Sequence, residues 1–98
     1  MASKRTVDVP RVGAILREWH DTKRSLYAVV FADNGMRTCA GCISAVDDHT
    51  AVIADPDGDL PIPYATAGDC AVVTLGKSER SVTLTWHNGN SAFVATRT

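Results

Sequence analysis

The chain has 98 residues, 45% of them apolar, and ten Lys and Arg against eleven Asp and Glu give a formal net charge of −1. This is enough apolar material for one compact domain over residues 1–98 without a stabilising disulfide or metal. The balanced charge excludes the overall basic excess of a protein that grips polyphosphate non-specifically. The sequence shows no apolar leader and no stretch near 18 apolar residues, and it has an odd number of cysteines, three. These features predict a cytoplasmic protein without a membrane partner.

A helix is predicted over residues 9–21, after a flexible arm at residues 1–8 that has no apolar periodicity. Apolar residues recur at the spacing i, i+3, i+4 and i+7, which is typical of one face of an amphipathic helix: Val12, Ile15, Leu16 and Trp19. Pro10 suits the first helical turn, where its missing N–H is not needed, and Asp8 favours the helix N-terminus.

From residue 25 to 97 the apolar period drops to two and turn residues recur roughly every 10 residues, which predicts a β-meander, barrel or sandwich. The strongest turn signals are Asn34-Gly35, Asp57-Gly58 and Asn88-Gly89. Strands are predicted near residues 25–33, 36–46, 50–54, 60–66, 70–75, 81–87 and 91–97.

A two-residue turn at Asn34-Gly35 predicts that Asp33 pairs with Met36 in a long central hairpin. Counting back from this turn puts apolar residues on both faces of the hairpin: Tyr27, Val29 and Phe31 on one, and Leu26, Ala28 and Val30 on the other. We therefore expect both faces to be covered, one by barrel closure and the other by the helix or another subunit. Gly41 is the expected position of the sharp bend that closes the barrel.

The last predicted hairpin alternates Val82, Leu84 and Trp86 with hydroxyl residues. A two-residue loop at Asn88-Gly89 or Gly89-Asn90 would place Phe93 and Ala95 on the Trp86 face. We expect this hairpin to be half exposed or to lie at a sheet edge.

This order of elements resembles the Sm-like family of small β-barrels, of the Lsm and Hfq type. The matching segments are the helix from Val12 to Trp19, Phe31-Ala-Asp-Asn-Gly35, Gly41-Cys-Ile43, Asp47-Asp48 and Pro63-Tyr64-Ala-Thr-Ala67. The resemblance covers about residues 10–75, and residues 80–97 add a hairpin. It implies a mainly β fold, with an N-terminal amphipathic helix and a small antiparallel bent-sheet barrel of the Sm-like or SH3-like type. It also implies a ring-forming RNA binder.

Candidate binding residues are basic and aromatic. Lys23 and Arg24 follow the helix, and Arg37 lies beside the hairpin tip. Together with Lys4-Arg5 in the arm, they are predicted to form a basic rim. Tyr64, Trp86 and His87 would add stacking surfaces for single-stranded nucleic acid. The alternative is that the cations form a solvated edge and that the aromatic residues belong to the core.

The predicted function is a non-enzymatic binding module, homo-oligomeric, whose partner is RNA or another protein. One alternative is an interaction or assembly subunit that does not bind nucleic acid. A second alternative is a small-ligand or hydrolytic site in the barrel mouth, formed by Asp48, His49 and His87, which requires these side chains to converge. No residue is assigned a catalytic role.

Two motifs resemble metal sites. Cys39-Ala-Gly-Cys42 has the spacing of a zinc half-site or redox pair, which Cys70, His49 or His87 would have to complete. Residues three apart in a strand point to opposite faces, which favours buried hydrophobic cysteines. The segment from Asp55 to Asp59 begins like a calcium loop but lacks Gly at the sixth and Glu at the twelfth position, which favours an acidic turn. No metal and no cofactor is therefore predicted.

Overall fold

The computed structural model describes residues 2–33 and 35–97, and antiparallel strands dominate it. The strands are β1 (Ala2–Val7), β2 (Leu26–Ala32), β3 (Gly35–Gly41), β4 (Ile43–Val46), β5 (Ala51–Ile53), β6 (Leu60–Ile62), β7 (Asp69–Leu75), β8 (Ser78–Thr85) and β9 (Ser91–Thr96). One α-helix, α1 (Val9–Asp21), lies between β1 and β2, and a short 3₁₀ helix (Tyr64–Thr66) follows β6.

The described strands form two open sheets. The larger has six strands in the order β1-β7-β8-β9-β2-β3, and the smaller has three in the order β4-β5-β6. The predicted mainly β, antiparallel fold with one N-terminal helix is confirmed, but the predicted closed barrel is wrong. β1 occupies one edge of the large sheet and β3 the other, so that the two edges do not meet.

The helix α1 forms as its sequence predicts. The Asp8 carboxylate accepts a hydrogen bond from the Arg11 N–H at 3.1 Å, and Pro10 lies in the first turn. At the other end, the N–H of Thr22 donates to the carbonyl of Glu18. The predicted apolar face is buried, with at most 3% of each residue exposed: Val12, Ile15, Leu16 and Trp19. This face packs against β4 and the 3₁₀ helix.

β1 was not expected. Its residues pair with β7 in an antiparallel register that runs from Ala2 opposite Leu75 to Val7 opposite Cys70. The sequence predicted a flexible arm over residues 1–8, whereas residues 2–7 form an edge strand. The side chains from Ala2 to Thr6 are exposed, so backbone hydrogen bonds and not burial define this strand. Apolar periodicity therefore gives no sign of it.

In the central hairpin of β2 and β3, the residues lie on their predicted faces, but the cross-strand pairing differs from the predicted one. Ala32 pairs with Gly35, and Val29 pairs with Thr38. The pairing of Asp33 with Met36 is therefore wrong, because Phe31 is opposite Met36. Asn34, half of the predicted turn, lies outside the described residues. Each partner is displaced by two positions, which leaves every side chain on its predicted face because the strand period is two.

Gly41 is the predicted bend. β3 ends there, β4 begins at Ile43, and the Ala54 N–H donates to the Cys42 carbonyl at 2.9 Å. A Cβ atom on Gly41 would lie 1.9 Å from the Ala54 carbonyl oxygen, so only glycine permits this approach. The bend carries the chain from the large sheet into the small sheet and does not close a barrel.

The β8–β9 hairpin contradicts the predicted placement of Phe93. The Trp86 N–H donates to the Asn90 carbonyl at 2.9 Å, which leaves a three-residue loop between them. The last residue of this loop, Gly89, has φ +89°. Such loops use a left-handed residue before the strand resumes. Compared with the predicted two-residue loop, the extra residue shifts the register of β9 by one, which exchanges its two faces. Phe93 therefore pairs with Thr83, on the face opposite that of Trp86.

The two faces of the large sheet differ in burial. Its inner face joins α1 and the small sheet in one core, and the following large-sheet residues are at most 1% exposed: Leu26, Ala28, Val72, Val82, Leu84, Ala92 and Val94. On the outer face Tyr27, Phe31 and Phe93 are 43, 48 and 37% exposed. Both faces of the central hairpin were predicted to be covered. The described residues of the chain cover only the inner face. In the described residues no helix has the length and apolar character needed to cross a membrane.

Candidate functional site

A cleft opens where the ends of β2, β3 and β8 face the small sheet. It comprises two pockets that have Val30 in common, which we call the two lobes of the Val30 cleft. The first lobe has a volume of about 300 Å³ and is lined by Val30, Pro63, Thr66, Trp86, Asn88 and Asn90. The second has a volume of about 320 Å³ and is lined by Val30, Ala32, Gly35, Met36, Arg37 and Leu60. The strand period places Val30 on the inner face after Leu26 and Ala28, where it is only partly buried and packs against the core.

Trp86 forms one wall of the first lobe. It follows β8, is half-buried and packs against the core. Its indole N–H donates to the Thr66 hydroxyl at 2.9 Å, and that hydroxyl donates to the Pro63 carbonyl at 2.9 Å. The Asn88 side chain accepts from the Asn90 N–H at 3.0 Å. The bond from the indole N–H to Thr66 fixes the orientation of the Trp86 ring. A half-buried indole N–H needs such a partner, and the rest of the ring presents an apolar surface.

Arg37 and Met36 line the second lobe. The Arg37 guanidinium donates to the Gly58 carbonyl at 2.7 Å and makes a longer contact, 3.4 Å, with the Asp59 carbonyl. Among the described residues its partners are carbonyl oxygens, and no carboxylate neutralises its charge. A guanidinium has five N–H donors, so it retains capacity for an anionic group. Met36 is 62% exposed, which leaves its thioether accessible.

A separate cleft of about 280 Å³ lies between α1 and the β4–β5 turn and includes Arg17, Asp48 and Tyr64. Its polar groups already bind each other. Arg17 forms an ion pair with Asp48, and the Tyr64 hydroxyl donates to the Asp47 carbonyl. Burial raises the pKa of Tyr64. We assign this cleft a structural role, in which it joins the helix to the turn.

The predicted binding residues do not form one surface. Arg37 and Trp86 line the Val30 cleft, but Tyr64 is 2% exposed and belongs to the core. The His87 ring lies against Gly68, where an added Cβ would be 3.1 Å from the His87 Cε1 atom.

Lys23 and Arg24 continue from the helix end. Their N–H groups donate to the carbonyls of His20 and Trp19, at 3.2 and 3.0 Å. They line neither lobe of the Val30 cleft, in which Arg37 is the one cation among the described lining residues. The predicted rim is therefore divided between the helix end, the cleft and β1, which contains Lys4 and Arg5.

The hypothetical catalytic and metal sites are not assembled. Over residues 2–33 and 35–97, no group of three or more His, Cys, Asp or Glu side chains could hold a metal ion. Asp48 is paired with Arg17, and His87 lies on the loop after β8 with its ring against Gly68. The Asp55 carboxylate accepts from the N–H groups of Ala40 and Asp57, which gives the acidic turn a structural role.

The three cysteines are free thiols. Cys39 and Cys70 are buried, and burial raises the pKa of both thiols. Cys42 is half-buried, and its Sγ contacts the Lys23 carbonyl at 3.8 Å.

No direct sequence signal predicted the remaining walls of the Val30 cleft. Val30 and Leu60 are ordinary strand residues, and Pro63 and Met36 adjoin turns. The cleft exists because the bend at Gly41 brings the small sheet opposite the end of the large one. Only the exposed Met36 at a hairpin tip, a large apolar residue where polar ones are usual, offered a hint.

Comparison with known proteins identifies the fold. No protein-family model matches the chain, and no curated protein matches it. The structure is similar to that of the heme-degrading enzyme ChuS from Escherichia coli O157:H7, with a TM-score of 0.68 and 14% sequence identity. The similarity covers 97% of this chain but 30% of the ChuS chain, so this chain spans less than a third of that protein.

This fold corrects the functional prediction. The chain has two open sheets and the fold of part of a heme-degrading enzyme, not a closed Sm-like barrel. The predicted Sm-like, RNA-binding module is therefore wrong, and its alternatives, an assembly subunit or a site in a barrel mouth, gain no support. The established conclusion is a mainly β chain that shares the fold of part of ChuS.

Proposed function

We propose that this chain binds a heme-type ligand, a planar and largely apolar tetrapyrrole, in the Val30 cleft. The observation that carries the proposal is an open apolar cleft within a fold similar to part of a heme-degrading enzyme; among the described residues of its lining, Arg37 is a cation that no carboxylate pairs with. The chain spans 30% of that enzyme. The proposal therefore concerns binding and not heme degradation.

The apolar lining fits such a ligand. Ligand pockets usually have volumes of about 300–1,000 Å³ and mostly apolar walls with a few polar groups. Each lobe of the Val30 cleft reaches the lower end of that range, and the two adjoin at Val30. Apolar side chains line both lobes: Val30, Ala32, Met36, Leu60, Pro63 and Trp86. The indole of Trp86, held by Thr66, offers a fixed face for stacking against a planar ring.

One polar group of the cleft fits the carboxylate end of a heme. Arg37 offers a guanidinium for a carboxylate of the ligand. Heme iron is held in proteins by His, Met, Cys or Tyr side chains. Met36 pairs with Phe31, which places its side chain on the outer face, and the His87 ring lies against Gly68. We therefore assign the iron to no side chain of the cleft. A bound heme would supply a redox-active iron, whereas the residues of this chain bind and orient the ring.

Titration with hemin, followed by the Soret absorbance, tests the proposal. We expect saturable binding with one site per chain. Val30→Phe fills the shared floor of both lobes and should weaken hemin binding at least about tenfold. Val29→Phe is the matched control, because Val29 is the adjacent half-buried residue on the opposite face of β2. Equal affinity of Val30→Phe and wild type, or no saturable binding, would overturn the proposal.

Iron-free protoporphyrin IX separates ring packing from iron ligation. Met36→Ala should leave the Soret band and the affinities for hemin and for protoporphyrin IX unchanged, because the Met36 side chain lies on the outer face with Phe31. Met36 is exposed, so this change should leave the fold intact. A shifted Soret band in Met36→Ala would show that Met36 reaches the iron.

A further inference from the structure

We infer that a second copy of this chain packs on the outer face of the six-stranded sheet and forms a two-fold symmetric dimer. The inference does not depend on the proposed heme binding, since the Val30 cleft opens at the end of the inner face. It rests on the composition, the exposure and the area of the outer face.

The apolar part of the outer face is concentrated on two neighbouring strands, β2 and β9. It comprises Tyr27, Val29, Phe31 and Phe93, which we call the outer patch. Three of its members are aromatic residues with 37–48% of their surface exposed. Antiparallel sheets with one solvent-exposed face normally alternate apolar and polar residues. This strand pair instead has the composition of a sheet that is buried on both faces. Contiguous exposed apolar patches mark interaction sites.

Charge distribution favours a copy of the same chain as the occupant. On β3, β2 and β9 the outer face consists of three cross-strand rows: Ala40-Tyr27-Ala95, Thr38-Val29-Phe93 and Met36-Phe31-Ser91. None of these nine residues carries a charge, and the outer face of β1 and β7 adds one charge of each sign, on Lys4 and Asp69. A partner selected by opposite charge is therefore not indicated, whereas an uncharged apolar surface can face itself without placing like charges in contact.

The geometry allows self-packing around a two-fold axis. If the axis passes above Val29 and runs across the strands, Tyr27 of one protomer lies opposite Phe31 of the other, since the two residues are equally distant from Val29 along β2. The dimer then has two such aromatic pairs at the centre of its interface, and each protomer contributes one residue to each pair. Aromatic residues at the centre of an interface are the usual source of its binding energy.

The area of the face is sufficient. Six strands about 4.8 Å apart, each about six residues long at about 3.4 Å per residue, present roughly 600 Å². Two copies packed face to face would bury roughly 1,200 Å² in total, which is the lower limit of stable specific interfaces. The dimer should therefore form at micromolar concentrations and not be permanent.

Sedimentation velocity of the ligand-free protein tests the inference. We expect the wild type to be dimeric at about 50 µM, and Phe31→Glu to raise the dimer dissociation constant at least about 30-fold, because it places two like charges in a closed apolar interface. Phe93→Glu should act in the same direction. Ala14→Glu is the control, since it adds the same charge on the exposed face of α1. Circular dichroism should show that all three variants keep the β fold.

A wild-type protein that remains monomeric up to about 100 µM would overturn the inference and would leave a different molecule as the partner of the outer patch. Dimers of Phe31→Glu and Phe93→Glu that are as tight as the wild type would also overturn it. Because no ligand is present, neither result depends on whether hemin binds.

Discussion

The two faces of the large sheet are built from the same alternating strands but have different surroundings. Leu26 and Ala28 on the inner face of β2 are fully buried, whereas Tyr27 and Phe31 on its outer face are about half exposed. The difference does not lie in apolar character, since both sets are apolar. It lies in what the chain places against them, because α1 and the small sheet cover one side only. Apolar periodicity therefore shows which residues share a face but not which face is covered within the chain.

The first prediction compares adjacent residues on opposite faces of β2. Leu26→Ala should lower the free energy of unfolding by about 2–5 kcal/mol, because it leaves a cavity in the core. Tyr27→Ala should cost less than about 1 kcal/mol, since the residue is 43% exposed. Urea denaturation in a Phe31→Glu background removes any contribution of the proposed dimer. Equal losses for the two variants would contradict the difference between the faces.

The second prediction concerns the bend that brings the small sheet over the inner face. Gly41→Ala should cost about 2–3 kcal/mol of stability, since the new Cβ would meet the Ala54 carbonyl oxygen at 1.9 Å. Gly68→Ala is the matched control, because its Cβ would meet only the His87 ring, a side chain that can move. We expect this control to cost less than about 1 kcal/mol. A tolerated Gly41→Ala would show that the bend does not require glycine.

The third prediction uses the cysteines as reporters of the covered face. At pH 8 a thiol reagent should modify Cys42 promptly, because it is half-buried and beyond the end of β3. Cys39 and Cys70 should react at least about 100-fold more slowly, because burial both blocks access and raises the pKa of each thiol. Mass spectrometry of the modified peptides distinguishes the sites. Comparable rates for all three would place Cys39 and Cys70 on an open surface.

The smallest expected effect is at the β4–β5 turn of the small sheet. The N–H groups of His49 and Thr50 donate to the Asp47 carboxylate and hold its pKa below the ordinary value. A lowered folded-state pKa stabilises the protein above the unfolded pKa of about 4, and this contribution is lost as the pH falls through the folded value. Asp47→Asn keeps an oxygen acceptor without the charge. It should have a lower Tm than the wild type at pH 6 and the same Tm below the folded pKa. A constant Tm difference across this range would contradict the assignment.

Local signals predicted much of the fold. The apolar spacing from Val12 to Trp19 and the Asp8 cap predicted α1, and the alternation in β2 predicted its two faces. β1 was missed because its partner, β7, follows it by some 60 residues and supplies backbone hydrogen bonds that composition does not reveal. Phe93 was placed on the wrong face because a single extra loop residue before Gly89 reverses a strand.

The candidate site was less predictable than the fold. Arg37 and Trp86 were predicted binding residues and do line the Val30 cleft, for which we propose a heme-type ligand in place of RNA. Val30 and Leu60 could not be recognised, since a strand residue at the open end of a core has the same sequence pattern as one at its centre. The cleft depends on how two sheets meet at Gly41, which is a property of the assembled chain.

One measurement tests the proposed site directly and distinguishes it from the outer patch. Nuclear magnetic resonance of the protein titrated with diamagnetic zinc protoporphyrin should shift the signals of the Trp86 indole N–H and of the Val30 and Leu60 methyl groups. The Val29 and Thr83 methyl groups, which lie on the outer face, should be unchanged. Shifts confined to the outer-face methyl groups, or no saturable shifts, would contradict ligand binding in the Val30 cleft.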